Sequence, residues 1–215
     1  MGRRRRRWQI ACLKPWCIVV RVFIAVSVPG TIREAIARAQ EELRRAVSND
    51  EIRWAKPEQF HLTLKFLGNV DDSRVEELKD AVGKVSEGFS PLGLRAAGIG
   101  FFPQGRPPRI VWAGVGESNN RLVALWKALD SAMEPFNNEK AEQNFNGHIT
   151  LARVGRLPRA HAEALVKAAN RFEKMTFGEW TAGHVELMRS ELSPQGARHT
   201  VLAALPLGVS NGVME

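Results

Sequence analysis

Two short segments of this chain carry the same reactive pattern. His61-Leu62-Thr63-Leu64-Lys65-Phe66-Leu67-Gly68 aligns with His148-Ile149-Thr150-Leu151-Ala152-Arg153-Val154-Gly155. The His, Thr, Leu and Gly positions are identical, and two further positions exchange one apolar residue for another. An unperturbed imidazole titrates near pH ~6.5, so it can take or give a proton close to neutrality. A strand alternates its side chains between faces, which puts His61 with Thr63 on one side and Leu62 with Leu64 on the other. His148 and Thr150 are grouped in the same way, opposite Ile149 and Leu151. A lone His-x-Thr in a strand is usually structural. Two copies with matching flanks are not, because core histidines have no reason to share Thr and Gly at fixed offsets.

Two such strands related by a pseudo-twofold axis would present two imidazoles and two hydroxyls to one cleft. That set suits in-line attack at phosphorus, with one imidazole as base toward the nucleophile and the other as acid toward the leaving oxygen. Thr63 and Thr150 would donate to the non-bridging phosphate oxygens, where charge builds in the transition state. Lys65 has the same strand parity as His61 and would add positive field at the cleft edge. No metal or other cofactor is expected. His161, His184 and His199 lack ligand spacing with each other or with the motifs, and Cys12 and Cys17 lack partners for a zinc site.

The surrounding pattern supplies elements to hold these groups. Strands are expected at Val19–Val28, Glu51–Trp54, Phe60–Leu67, Leu92–Phe101, Arg109–Val115, Phe145–Val154, Gly183–Met188 and His199–Leu205. Helical stripes run through Ile32, Ile36, Ala39, Leu43 and Val47; through Val75, Leu78, Val82 and Val85; through Leu122, Leu125, Leu129 and Met133; and through Ala162, Leu165, Ala169 and Phe172. Thr31 with Glu34, and Ser73 with Glu76, have capping-box spacing. Interleaved strands and helices indicate an α+β or α/β domain with helices covering a sheet. Trp112 and Trp126 read as core residues rather than ligand platforms, Phe101 and Phe102 as core with one of them lining a base pocket as the alternative, and Gly98-Ile99-Gly100 as a strand kink. Arg106 and Arg109 read as parts of a solvated loop, with a place flanking an RNA path as the alternative.

The chain has 215 residues, 44% of them hydrophobic and 25% charged, which excludes disordered and fibrous classes. No apolar run is long enough to cross a membrane as a helix. The net charge of +8 has the look of a nucleic-acid binder, but Arg3 to Arg7 supply five of those charges. The body is only mildly basic, which suits an anionic substrate rather than a long phosphate-backbone footprint. Residues 1–18 are read as a basic extension outside the fold, 19–208 as one domain, and 209–215 as a tail. Two cysteines and the absence of a secretory pattern point to a reduced, cytoplasmic setting.

The paired motifs, together with RVFIAVSVP, RWAKPEQFHLTLKFLG, GIGFFPQGRPPRIVWAGV and VELMRSELSPQGARHTVL, resemble the 2H phosphoesterases. Within them the chain is similar to the RNA 2′,3′-cyclic phosphodiesterases, also called 2′-5′ RNA ligases, from about Val22 to Leu207. The resemblance implies a bilobal α+β fold with two pseudo-symmetric halves, each an antiparallel sheet covered by helices, around a central cleft. It implies metal-independent hydrolysis of RNA or nucleotide 2′,3′-cyclic phosphate ends to 2′-phosphates by a monomer, with His61 and His148 catalytic. The family usually carries an arginine at the place of Arg153, which is implied to bind substrate with Thr63 and Thr150. Strict alternation puts Arg153 opposite in parity to His148, so it would reach the phosphate around the strand end. Two departures stand out. Gly147 replaces a frequent proline, which would loosen the strand entry, and His199 stands where tyrosine is common. Which histidine is the acid is open, with the resemblance leaning to His61 beside the leaving 3′-oxygen and His148 beside the water. A non-catalytic RNA-binding module of the same fold, and ligation as the reverse reaction, are the competing readings.

Overall fold

The computed structural model describes residues 18–105, 107–136, 144–193 and 196–208. Its strands are β1 (Val19–Ser27), β2 (Ile52–Trp54), β3 (His61–Asp71), β4 (Leu92–Phe102), β5 (Ile110–Gly116), β6 (His148–Val154), β7 (Thr176–Ala182), β8 (His184–Ser193) and β9 (Gly196–Pro206). Helices α1 (Gly30–Ala46), α2 (Val75–Glu87), α3 (Arg121–Ala132) and α4 (Arg159–Ala169) lie between them. All the strands join one antiparallel sheet in the order β7-β4-β5-β6-β3-β1-β8-β9, with β2 added beside β6. The two motif strands, β3 and β6, are therefore neighbours at the centre, joined through Leu62 and Ile149. The expected basic extension and C-terminal tail lie, Ile18 apart, outside the described residues. Among the described residues no helix is long and apolar enough to cross a membrane.

The helices cross between halves. Helix α1 follows β1 but packs on α4 and β7 of the far half, and α3 follows β5 but packs on β3 and α2. Their apolar stripes bury Ile32, Ile36, Ala39 and Leu43 of α1 and Leu122, Leu125 and Leu129 of α3. These meet Leu62, Leu64, Ile149 and Leu151 from the sheet in one apolar core that runs through both halves. The opposite, open face of the sheet is left for chemistry.

Three local expectations are corrected. Helix α1 starts at Gly30, not with a Thr31 cap; the Pro29 carbonyl accepts from the N–H groups of Ile32 and Arg33. Ahead of α2 the capping group is Asp71, whose carboxylate accepts from the N–H and hydroxyl of Ser73. Strand β7 was not expected, because Gly178, Glu179 and the exposed Thr176 and Thr181 blur its alternation. Pairing with β4 makes it a strand.

The most consequential difference is a pair of β-bulges, one in each motif. In β6, Thr150 pairs with Trp112 but Ala152 pairs with Val111, so one extra residue is accommodated at Leu151. Leu151 and Ala152 are consecutively buried, and Arg153 emerges on the open side. In β3, Thr63 pairs with Ala25 and Lys65 with Ile24, which places the same irregularity at Leu64. Leu64 and Lys65 are both buried and Phe66 faces the open side. Strict alternation thus fails after the fourth motif residue in both copies.

Each bulge is met from behind by a polar side chain near the end of a crossing helix. The amide of buried Gln40 on α1 donates to the carbonyls of Leu151 at 2.9 Å and Ala55 at 2.8 Å. In the other half, Asp130 of α3 accepts from Lys65. Lys65 therefore does not enrich the cleft with charge; it sits on the helix side, 4% exposed. The Leu151 carbonyl also accepts from the Ala55 N–H at 2.8 Å, so loss of Gln40 removes one of its two hydrogen bonds and the one to Ala55, together worth about 1–3 kcal/mol. Gln40→Met keeps the side-chain length and removes the donor, so it is expected to lower unfolding free energy by that amount in denaturant titration. A loss below about 0.5 kcal/mol, within the scatter of ordinary surface substitutions, would show that the bulge does not depend on Gln40.

Candidate active site

The antiparallel pairing of Leu62 with Ile149, carried one residue either way, sets His61 opposite Thr150 and Thr63 opposite His148. All four side chains are half-open while Leu62 and Ile149 are fully buried. Both imidazoles are held alike. His61 Nδ1 lies 2.7 Å from the Gln59 carbonyl oxygen, and His148 Nδ1 lies 2.7 Å from that of Asn146. A carbonyl only accepts, so Nδ1 carries the hydrogen in each ring and the neutral imidazole keeps its free lone pair on Nε2. The residue two before each histidine is thus part of the repeat through its backbone.

The surroundings of the two rings differ. His61 stacks obliquely on Phe23, with centroids 4.9 Å apart, and meets the edge of His199 at 5.2 Å. Burial pushes the His61 pKa down to about 4; the Gln59 carbonyl opposes the shift, and the neighbouring His199 and His148 add to it. Burial also lowers the pKa of His199. His148 meets Phe102 edge-on at 5.1 Å. His199, singled out in the sequence as standing where tyrosine is common, is therefore a neighbour of His61, brought there by the β8–β9 hairpin and by Gln59, whose amide donates to the Ala197 carbonyl. Of the two readings of Phe102, core or pocket lining, its contact with His148 fits the second. Nothing in residue spacing marks either contact, since each depends on strand order.

Arg153 shares the open face with His148 and Thr150 because of the Leu151 bulge, so it does not have to reach around the strand end. Directly across from it stands Arg53 of β2, also exposed. Neither guanidinium has an ion-pair partner among the described residues. Like charges directly opposite repel, a cost that an anion between them removes. Arg53 was missed, because its relevance comes only from register. Arg109 hydrogen-bonds the Gly155 carbonyl at 3.0 Å, and Arg106 lies outside the described residues. Gly147 does not loosen the strand entry. A Cβ there would stand 2.4 Å from the Val115 carbonyl oxygen, so glycine is what lets β5 and the approach to His148 close up. No three His, Cys, Asp or Glu side chains among the described residues are grouped to hold a metal ion.

The depressed His61 pKa has a defined thermodynamic sign. An unfolded histidine titrates near ~6.5 and the folded one at about 4. Between those values the unfolded chain binds more protons, so stability that is complete above pH ~6.5 is lost as pH falls toward 4, by about 3 kcal/mol. His61→Gln removes this contribution, and its unfolding free energy should fall less than that of the parent between pH 7 and pH 4. Equal pH dependence in the two proteins would show that His61 is not held neutral.

A family model described as LigT like Phosphoesterase matches residues 26–112 and 115–199, one motif in each segment. A Thermus thermophilus protein named RNA 2′,3′-cyclic phosphodiesterase is 34% identical over 203 residues, covering 90% of this chain and 93% of its own. A Methanocaldococcus jannaschii protein of the same name is 29% identical over 183 residues, covering 85% and 98%. The crystal structure of TT0787 of Thermus thermophilus superposes with a TM-score of 0.72 at 29% identity, covering 88% of this chain and 99% of that one. E. coli LigT complexed with 3′-AMP has the same fold, with a TM-score of 0.67 at 22% identity over 88% and 99%. With both His-x-Thr segments inside the matched regions, this chain belongs to the LigT-like phosphoesterase family.

Proposed function

We propose that this chain hydrolyses 2′,3′-cyclic phosphate ends of RNA to 2′-phosphates, using His61 and His148 for proton transfer and Thr63, Thr150 and Arg153 for the phosphate. The observation that carries this reading is the pairing of two Nε2-presenting imidazoles and two threonines across the Leu62–Ile149 bridge. The relatives named RNA 2′,3′-cyclic phosphodiesterase supply the substrate class.

In the proposed step, a water oxygen attacks phosphorus and gives its proton to one imidazole Nε2. The bond from phosphorus to the 3′-oxygen breaks, and the second imidazole protonates that oxygen. The products are a 2′-phosphate and a free 3′-hydroxyl. The threonine hydroxyls donate to the non-bridging oxygens, and Arg153 offsets their growing charge. Arg53, opposite Arg153 and without an ion-pair partner among the described residues, fits a chain with a second phosphate better than a lone cyclic nucleotide. Ligation of 2′-5′ ends runs the same step backward through the same groups. His61 is neutral near pH 7 in the substrate-free protein, which already suits the base role. To serve as the acid beside the 3′-oxygen, it needs the bound phosphate anion to draw its pKa upward.

His61→Ala and His148→Ala are each expected to lower turnover of a cyclic-phosphate oligonucleotide by roughly 10²–10⁴-fold. Thr63→Ala and Thr150→Ala should cost less, since each removes one neutral donor among several. The double histidine variant should lose far less than the product of the single losses, as groups acting in one step are non-additive. A substrate with an activated leaving group should rescue the variant that lacks the acid and not the one that lacks the base. Hydrolysis should persist in excess chelator; loss restored by a divalent ion would sink the two-histidine mechanism. Histidine variants that retain parental rates would leave only a binding module.

A further inference from the structure

Trp112 occupies an asymmetric place in the site. Its partner across the ladder is Thr150, while the matching partner of Thr63 in the other half is Ala25. The sheet therefore sets a large aromatic beside one threonine and a methyl group beside the other. Register puts Trp112 on the open face with His148 and Thr150, not among the helix-facing core residues as its apolar setting implied.

The indole has a seat prepared for it. Gly100 pairs with Trp112 from β4, and a Cβ on Gly100 would stand 2.3 Å from the six-membered ring. Only glycine lets the ring lie down across that strand. Phe102 packs beside it, with centroids 5.2 Å apart, and the same Phe102 touches His148. From Trp112 a groove of about 950 Å³ runs past Gly114 and Asn146 toward Gly116 and Gly93. It is continuous with the site, because Asn146 supplies the carbonyl that holds His148 and Gly114 pairs with His148. The charges at its far end are balanced, with Arg95 beside Glu179 and Glu117 against Arg121. A phosphate backbone finds no net positive field there. A flat, apolar, uncharged group does find a surface.

We infer that Trp112, seated on Gly100, is a stacking platform for the nucleobase of the nucleotide that bears the cyclic phosphate. This rests on the phosphodiesterase reading above and adds to it a base-recognition subsite in the β4–β5 half. Stacking on an aromatic face accepts any base, so the subsite selects for the presence of a base and not for its identity. It also contributes affinity without neutralising phosphate, so its share of binding is independent of salt.

The test uses the full chain and two probes, a nucleoside 2′-monophosphate and ribose 2-phosphate, with affinities measured by calorimetry. Trp112→Leu keeps an apolar filling on Gly100 and removes the π face. It is expected to weaken the nucleotide by roughly 5- to 150-fold, equally at low and high salt, and to leave ribose 2-phosphate unchanged. Gly100→Ala, which retains the indole but unseats it, should weaken the nucleotide in the same selective way. Unchanged affinity, or equal weakening of both probes, overturns the inference, the latter by showing that Trp112 only supports the fold. Hydrolysis of a cyclic phosphate on an abasic ribose separates the two readings. If the parent cleaves it and Trp112→Leu cleaves it equally well, the catalytic reading holds whatever becomes of the platform.

Discussion

A single backbone pairing, Leu62 with Ile149, positions everything else in this molecule. It is where β3 meets β6, and it brings two segments distant in sequence into one antiparallel register. Because side chains alternate, a slip of one residue would send both histidines into the core and both leucine-type positions into the cleft. Full burial of Leu62 and Ile149 makes that slip costly, so the apolar core fixes the placement of the two histidines and threonines from behind. The crossing of α1 and α3 to the opposite halves completes the lock, with Gln40 and the Lys65–Asp130 pair each holding a bulge.

The bulges explain how a symmetric motif serves an asymmetric task. Each one turns the residue five places after the histidine onto the open face, and there the two copies part. The β6 copy presents Arg153, a cation. The β3 copy presents Phe66, which lies parallel to Phe23 with centroids 5.8 Å apart and has the Arg21 guanidinium 4.9 Å from its ring centre. Phe23 in turn helps to bury His61. Two identical imidazoles thus sit in different surroundings.

Glycine marks the close approaches on which this arrangement depends. At Gly147 it lets the Val115 carbonyl come up against the entry to His148, and at Gly100 it gives the Trp112 ring room to lie flat. The half with Trp112 thereby acquires a groove beside its threonine, whereas the other half has Ala25 at that register position. The two histidines thus lie at the β3–β6 junction and the groove to one side of them.

The sequence by itself determined the repeated His-x-Thr pattern, the helical stripes of Ile36, Leu78, Leu125 and Leu165, and most strands, because these are local periodicities written in residue type. It also pointed to the two motifs as a pair, since matching flanks at fixed offsets are visible without coordinates. Tertiary structure decided the directions of Lys65 and Arg153, because a bulge is set by the partner strand and breaks the alternation that a single strand implies. It decided that His199, Phe102, Arg53 and Trp112 border the site, because each arrives through strand order or register. Gly147, read as a loss of rigidity, proved to be a steric requirement for the same reason: the atom that excludes a side chain there belongs to Val115, on a different strand.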